Sequence, residues 1–587
     1  MPCSKQKLPT GHLRLRKPWP EQALNPRRVR WKLLRKGWAK YRLRRSMLLG
    51  KPWRVRVQPM TLATRQHASN FFDLGGHSLL AGRVLARVAN IFGVSFPIRT
   101  LFEGPTIDAL ARRVEEAREM QSKEPRSEIA FVEAHGPQSL SIVQENVFRI
   151  ERELPALPQF NLPYIYRLHG PLNVPALERS LAEVTRRHDS LRTAFDWSGE
   201  GPIALVLPAA ETGSPLVVVD LAGERAARKG RANALLLKKA ELEAEQESWT
   251  PFDLTRAPLF RARLFRLGAD DHVLIFVLHH IIVDGWSIGV FLEEVSKLYS
   301  GFAAGRDVQL PEPPFRFSDL VHWQRRWCTT DSAARQLAYW KSHLRDAAPV
   351  FPAEGGVAGA LASRIDHEPI HLPNELVARL SALARSQCGS LFMTLLAGFK
   401  AMLLARTGRG NICVGTAMAN RSQQWTEGVI GPFENTTVIR TRINSDLSFR
   451  EAIGRVRDSV LAAHARQELP FEILAARLAE EDGLDPASLI QVFFVLQNAM
   501  VRPLKLPDVT IRSMGDASRE GQPVLPINRT WLTLTLKERP SGIAGSCTYK
   551  NDSFGADTVQ DWIADYRAIL AKAAATPEAS LGQLTDH

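Results

Sequence analysis

Val273-Leu274-Ile275-Phe276-Val277-Leu278 runs directly into His279-His280-Ile281-Ile282-Val283-Asp284-Gly285-Trp286-Ser287. Six consecutive apolar residues suit a strand buried on both faces. Asp284-Gly285 is a turn signal, and apolar positions from Ile288 to Tyr299 recur at helical spacing. The stretch therefore predicts a buried strand, a tight turn and a helix, with two histidines at the strand's end. A histidine so placed titrates near working pH and can serve as general base or hydrogen-bond acceptor. Making an amide from an amine and an activated ester needs little more than orientation and the handling of one proton. Histidines one residue apart suit a metal poorly and no further ligands stand nearby, so no metal site is expected. A satisfied core pair is the plain alternative.

At 587 residues, 45% hydrophobic and 23% charged, the chain has the composition of a globular protein. It has no apolar run long enough for a membrane span and no secretory leader pattern. Cys3, Cys328, Cys388, Cys413 and Cys547 lie far apart, which argues for reduced thiols in a cytoplasmic protein. The net charge of +15 is local: residues 1–67 hold 19 Lys and Arg against one acid, Glu21, leaving 57 against 60 elsewhere. That arm also carries Trp19, Trp31, Trp38 and Trp53, and prolines at 18, 20, 26, 52 and 59 interrupt any helix. Basic residues among aromatics could bind single-stranded nucleic acid, a poor third choice here beside a solvated tail or an out-of-frame segment.

At Asn70 the character changes abruptly. Phe71-Phe72-Asp73-Leu74-Gly75-Gly76-His77-Ser78-Leu79 opens a helix whose apolar residues 80, 84, 85 and 88 share a face. Pro105-Thr106 begins another, with Ile107, Leu110, Ala111 and Val114 inward, and residues 119–136 read as a linker. A serine at a helix start can be a simple N-cap, or a hydroxyl offered where free N–H groups favour a phosphodiester.

The nine residues from Phe71, with Leu101-Phe102-Glu103-Gly104-Pro105-Thr106-Ile107, resemble the attachment loop and closing segment of peptidyl carrier domains. The resemblance implies 4'-phosphopantetheine carried on Ser78 by a phosphopantetheinyl transferase. It covers residues 69–118, and Arg- and Trp-rich sequence over 30–68 replaces the expected first helix. Residues 137–575 resemble nonribosomal condensation domains, with eight motifs in order. They begin at Ser139–Phe148, Arg187–Phe195, His279–Ser287 and Phe317–Trp323. They continue at Val414–Arg421, Ile430–Thr436, Gln467–Glu472 and Gln491–Asn498.

This resemblance implies an α/β fold of two chloramphenicol acetyltransferase-like lobes, 137–310 and 311–587, preceded by a small, incomplete helical carrier bundle and a basic arm over 1–68. It implies peptide-bond formation, with His280 as the catalytic or amine-positioning residue. His279 and Asp284 would shape the loop, Asp284 in a buried ion pair, and Gly285 would let the backbone pass close to the reacting carbonyl. Arg192 would be structural, and Asn435 and Gln497 would lie near the tunnel or simply satisfy backbone groups. Partners would be an upstream synthetase module and a downstream carrier or adenylation module acting in trans. An epimerase-type relative and a non-catalytic or decayed fragment stay open. Glu434 and Pro432 depart from a commoner pattern of small or apolar residues, and Leu484–Leu489 lacks the arginines often seen in the last motif. The break near Ser69 is what a frameshift produces. Reading the other two frames of the coding DNA should reveal an amphipathic carrier helix, and the idea fails if neither frame encodes one.

Overall fold

The computed structural model describes residues 69–586 except 73, 75, 77, 121–135, 154–157, 213–214, 226–231, 352–364, 422, 498–501 and 515–529. The basic arm, the missing first carrier helix and Asn498 therefore lie outside the described residues.

Three helices follow the attachment loop: Ser78–Phe92, Arg99–Glu103 and Ile107–Met120. Phe72, Leu80, Leu85, Val88, Leu101, Phe102, Leu110 and Val114 form their shared interior, while Val84 and Ile107 are half-buried. Phe72 packs on Phe102 with ring centres 4.6 Å apart. Gly76 has an internal reason to be glycine, because a Cβ there would stand 2.3 Å from the Phe71 ring.

The remainder builds two α/β lobes on two mixed sheets. Thirteen strands are described: β1 (Asn161–His169), β2 (Thr193–Trp197), β3 (Pro202–Val206), β4 (Leu216–Asp220), β5 (Phe260–Arg266), β6 (Asp271–His279), β7 (Ile365–Pro373), β8 (Asn411–Met418), β9 (Asn435–Arg442), β10 (Val492–Gln497), β11 (Thr510–Ser513), β12 (Leu532–Arg539) and β13 (Gly542–Lys550). The first sheet has the order β11-β1-β6-β5-β4, the second β7-β13-β12-β10-β8-β9, and β2-β3 is a separate hairpin.

The apolar run is strand β6, at the centre of the first sheet. Both of its neighbours are antiparallel, with Leu278 opposite Leu162 and Phe260. It is nonetheless buried on both faces, as its composition requires. Leu274, Phe276 and Leu278 pack with Leu181, Phe291 and Val295 from helices Val174–Arg187 and Gly285–Phe302. Val273, Ile275 and Val277 pack with Leu236, Ala240 and Ala244 of helix Ala232–Trp249. Strand β6 is thereby pinned from two sides, which fixes where its terminal histidines emerge.

The second lobe is organised around helix Leu391–Thr407, whose middle is buried throughout. Lys400 lies inside it, its Nζ donating to the carbonyls of Ile412 (2.9 Å) and Ile439 (2.7 Å). Burial pushes that ammonium down to about 7. Among the described residues no single helix is long and apolar enough to cross a membrane. The bent pair Asn374–Ser386 and Leu391–Thr407 passes by length and composition together, but the second of these is core.

The chain does not divide cleanly near residue 311. Strand β11, from beyond that point, returns to the first sheet and pairs with β1, Ile511 opposite Leu168. The loop around 311 is also tied back, since Arg187 donates to the carbonyls of Leu310 (3.0 Å) and Pro311 (2.7 Å). Arg187 and His188 both meet Glu294 at 3.0 Å. Burial alone would raise that carboxyl, but the hydrogen bonds from His188 and Arg187 hold it down at about 2.

Candidate functional site

His279 closes strand β6 and His280 begins the turn that follows. The two rings have different surroundings. His279 accepts the Ile281 N–H at Nδ1 (3.2 Å), which leaves its Nε2 facing Glu151 at 3.5 Å. Phe252 and Phe160 flank it, with ring centres at 5.7 and 6.0 Å. Its one side-chain hydrogen bond lies within the turn itself.

His280 is anchored through its backbone, its N–H donating to the Phe160 carbonyl at 2.9 Å. Burial pushes its ring down to about 4, against the opposing pull of its own backbone and of Asp284. The imidazole is therefore neutral near pH 7, a state in which one ring nitrogen can accept a proton.

Asp284 does three things at once. It caps helix Gly285–Phe302, accepting the Ser287 N–H at 2.7 Å. Its two oxygens each lie 3.1 Å from Nη2 of Arg421. Its Oδ2 accepts the Phe433 N–H at 3.0 Å. Arg421 also donates to the carbonyl of Val429 (2.9 Å) and to Ser287 Oγ (2.8 Å), and its guanidinium lies 3.8 Å from the centre of the Phe433 ring. Burial lowers the Arg421 guanidinium from its ordinary value, and the Asp284 charge and hydrogen bond offset only part of that. Ser287 Oγ in turn joins the Gly431 carbonyl (2.8 Å) and N–H (3.0 Å). The turn after β6 and the segment 430–433, which lie on different lobes, are thus one hydrogen-bonded unit.

Gly285 is exposed, and a Cβ added there would meet no atom within 4 Å. The helix start beside His280 opens onto free space. Burial raises both Tyr164 of β1 and Glu434, and the Asp284 charge adds to each. Phe433 also walls a cavity of about 40 Å³ together with Ser141, Phe317, Trp323, Trp425 and Glu468.

The other expected residues lie elsewhere. Arg192 is half-buried and donates to the Leu207 carbonyl, pinning the end of β3. Asn435 spends its amide on backbone, donating to Gln467 (2.7 Å) and Leu469 (2.8 Å) and accepting from Phe471 (3.1 Å). Gln497 ends β10 half-buried, with no hydrogen bond to His280 among the described residues. Arg421 was the residue that sequence reasoning left without a role. It stands 137 positions from Asp284, and no local spacing connects them. No cluster of His, Cys, Asp and Glu able to hold a metal occurs among the described residues.

Ser78 is the first residue of its helix. Further along that helix, Arg83 pairs with Glu427 at 2.7 Å and lies 5.7 Å from the centre of the Trp286 ring. Trp286 Nε1 donates to the Glu427 carbonyl at 3.0 Å. The Ser78 helix therefore sits against the segment that braces Trp286, close in the chain to His280.

Residues 134–586 match the condensation-domain family, and residues 65–114 match the phosphopantetheine attachment site. A linear gramicidin synthase polypeptide of Brevibacillus parabrevis is 36% identical over 524 residues, covering 88% of this chain and 10% of that protein. Surfactin synthase subunit 1 of Bacillus subtilis is 33% identical over 519 residues, covering 88% and 13%. The chain spans about a tenth of the length of such curated relatives. The X-domain from teicoplanin biosynthesis superposes with a TM-score of 0.65 at 25% identity, over 77% of this chain and 98% of that one. The first condensation domain of the calcium-dependent antibiotic synthetase gives 0.60 at 21%, over 76% and 98%, a likeness of fold.

The electrostatics make a direct prediction. With its ring pushed down to about 4, His280 should show no titration in histidine-labelled NMR spectra between pH 8 and roughly 5.5. Its resonance is identified by its loss in His280→Gln. A shift centred near pH 6.5 would contradict the buried, neutral assignment.

Proposed function

Because the chain belongs to the condensation-domain family of nonribosomal peptide synthetases, with a phosphopantetheine attachment site ahead of that domain, we propose that it forms a peptide bond between two carrier-bound substrates. Residues 69–118 act as the carrier, 137–310 with the returning strand β11 as one lobe and the rest of 311–587 as the other, and Ser78 holds the donor acyl or peptidyl thioester on its arm. An acceptor aminoacyl thioester arrives from a downstream carrier, and an upstream synthetase module feeds the donor. The acceptor nitrogen attacks the donor carbonyl carbon, the carbon–sulfur bond breaks, and the departing thiolate takes up a proton released by the nitrogen.

The observation that carries this reading is His280: a buried, neutral imidazole beside an open helix start, held in register by Asp284 and Arg421. His280 takes the proton from the tetrahedral adduct or steadies its charge, and Gly285 leaves room for the thioester. Asp284 and His279 hold the turn, and Arg192 and Asn435 brace the strands. Gln497 has no assigned contact. The Arg83–Glu427 pair supports delivery from the Ser78 helix to this region.

A second reading is a non-catalytic docking module, favoured by the likeness to the teicoplanin X-domain, which has also been solved in a complex with OxyB. One experiment separates them. The chain is converted with a phosphopantetheinyl transferase and acyl-coenzyme A, with Ser78→Ala as control, and offered an aminoacyl thioester. The expected result is a Ser78-dependent mass gain followed by acyl transfer to the amine, slowed by about 10²-fold or more in His280→Ala. Loading without transfer in the wild type would favour the docking module, and a D-configured residue without a new amide would favour epimerisation.

A further inference from the structure

The cavity walled by Phe433 contains a carboxyl that no step described above uses. Four aromatic rings line it as two edge-to-face pairs, Phe317 with Phe433 (centres 5.5 Å apart) and Trp323 with Trp425 (6.3 Å). Glu468 lines it beside them. Its Oε2 accepts from Nε2 of Gln336 (3.0 Å), and Gln336 is itself fixed by accepting the Leu469 N–H (3.3 Å). Among the described residues that is the carboxyl's one hydrogen bond, and no cationic side chain pairs with it. A carboxylate withdrawn from water without a cation is costly, and aromatic faces attract the same positive group that would offset the cost. Phe433 already shows the pairing, with the Arg421 guanidinium 3.8 Å from its ring centre. That guanidinium is held by Asp284, so the cavity's own carboxyl still lacks a counter-charge.

Two walls of the cavity are tied to the His280 turn. Phe433 donates its N–H to Asp284 Oδ2 (3.0 Å). Ser141 exchanges hydrogen bonds with Gln144 (3.0 and 3.2 Å), whose Nε2 donates to the carbonyl of Ile281 (3.0 Å), the residue after His280. His280 itself does not line the cavity.

Resting on the condensation reading, we propose that this cavity is a subsite for the side-chain ammonium of a basic amino acid, of the lysine or ornithine class, in one of the two substrates. Glu468 accepts hydrogen bonds from the ammonium and balances its charge, while the four rings surround its methylenes and positive head. The reacting amine belongs at His280, so an ammonium held at Glu468 is a second amine. The space of about 40 Å³ takes roughly three water-sized groups, which suits the aminoethyl end of such a side chain and not a whole amino acid. Burial raises Glu468 above the ordinary carboxyl value, and the Gln336 hydrogen bond opposes that shift. An arriving ammonium favours the charged form further, so guest and carboxylate hold one another ionised.

The test is calorimetric titration of the full chain near neutral pH with the methylamides of Nα-acetyl-lysine, Nα-acetyl-ornithine and Nα-acetyl-norleucine. Norleucine replaces the ammonium of ornithine by a methyl group. At least one basic side chain should bind about tenfold or more tightly than norleucine, and Glu468→Gln should remove that preference. Trp425→Leu, a second variant should Glu468→Gln fail to fold, should weaken the basic ligands roughly three- to tenfold. Equal binding of the ornithine and norleucine amides would make the cavity merely apolar. No binding of any of them at millimolar concentration would leave it to water. Tighter binding of leucine methylamide, whose α-amine is free, than of either basic ligand would assign it to the α-amine. Each of these three results overturns the proposal. Acyl transfer from the Ser78-loaded chain, measured alongside, separates the two failures: a preference for basic ligands with no amide formed from any acceptor would overturn the condensation reading and leave the ammonium site standing.

Discussion

A single buried ion pair joins the parts of this protein that matter for chemistry. Asp284 and Arg421 are almost wholly removed from water, at 2% and 1% side-chain exposure. Taking two charges into the interior costs several kcal/mol per ion, and a matched apolar pair is often as stable. Its value here is therefore positional. One carboxylate caps the helix that follows the His280 turn, meets a guanidinium from the second lobe, and accepts the N–H of Phe433. The turn, the helix start and the 430–433 segment cannot shift independently. His280 lies in the turn so held, where burial keeps its ring neutral.

Much of this was legible in the sequence because it is local. The apolar run from Val273, the turn at Asp284-Gly285 and the helical spacing beyond it gave strand, turn and helix in the right order, and the strand is central and doubly covered. The helical spacing from Ile288 to Tyr299 falls within helix Gly285–Phe302. Arg192, expected to be structural, meets the carbonyl of Leu207. In each case a short-range periodicity or cap decides the outcome.

What escaped was long-range. Arg421 sits inside a recognised motif, yet nothing near it announces a partner in the other lobe. Strand β11 returns to the first sheet across most of the second lobe, and its four residues carry no signal of that destination. Gly76 sits in the attachment-loop motif, and nothing in the motif announces that the Phe71 ring fills the space a Cβ would take. Asn435, for which the tunnel and a backbone role were both left open, holds three backbone partners, and its distant acceptors at 467 and 469 were not readable from the motif. These outcomes depend on which distant surfaces meet, and local pattern does not encode that.

The ion pair's organising role is open to a double-mutant cycle on Asp284→Asn and Arg421→Gln, read both in unfolding free energy and in single-turnover acyl transfer. A positional role requires a coupling of about 2 kcal/mol or more in stability, with each single variant losing transfer far beyond its effect on folding. Additive effects in stability, or single variants that fold and transfer at the wild-type rate, would refute it.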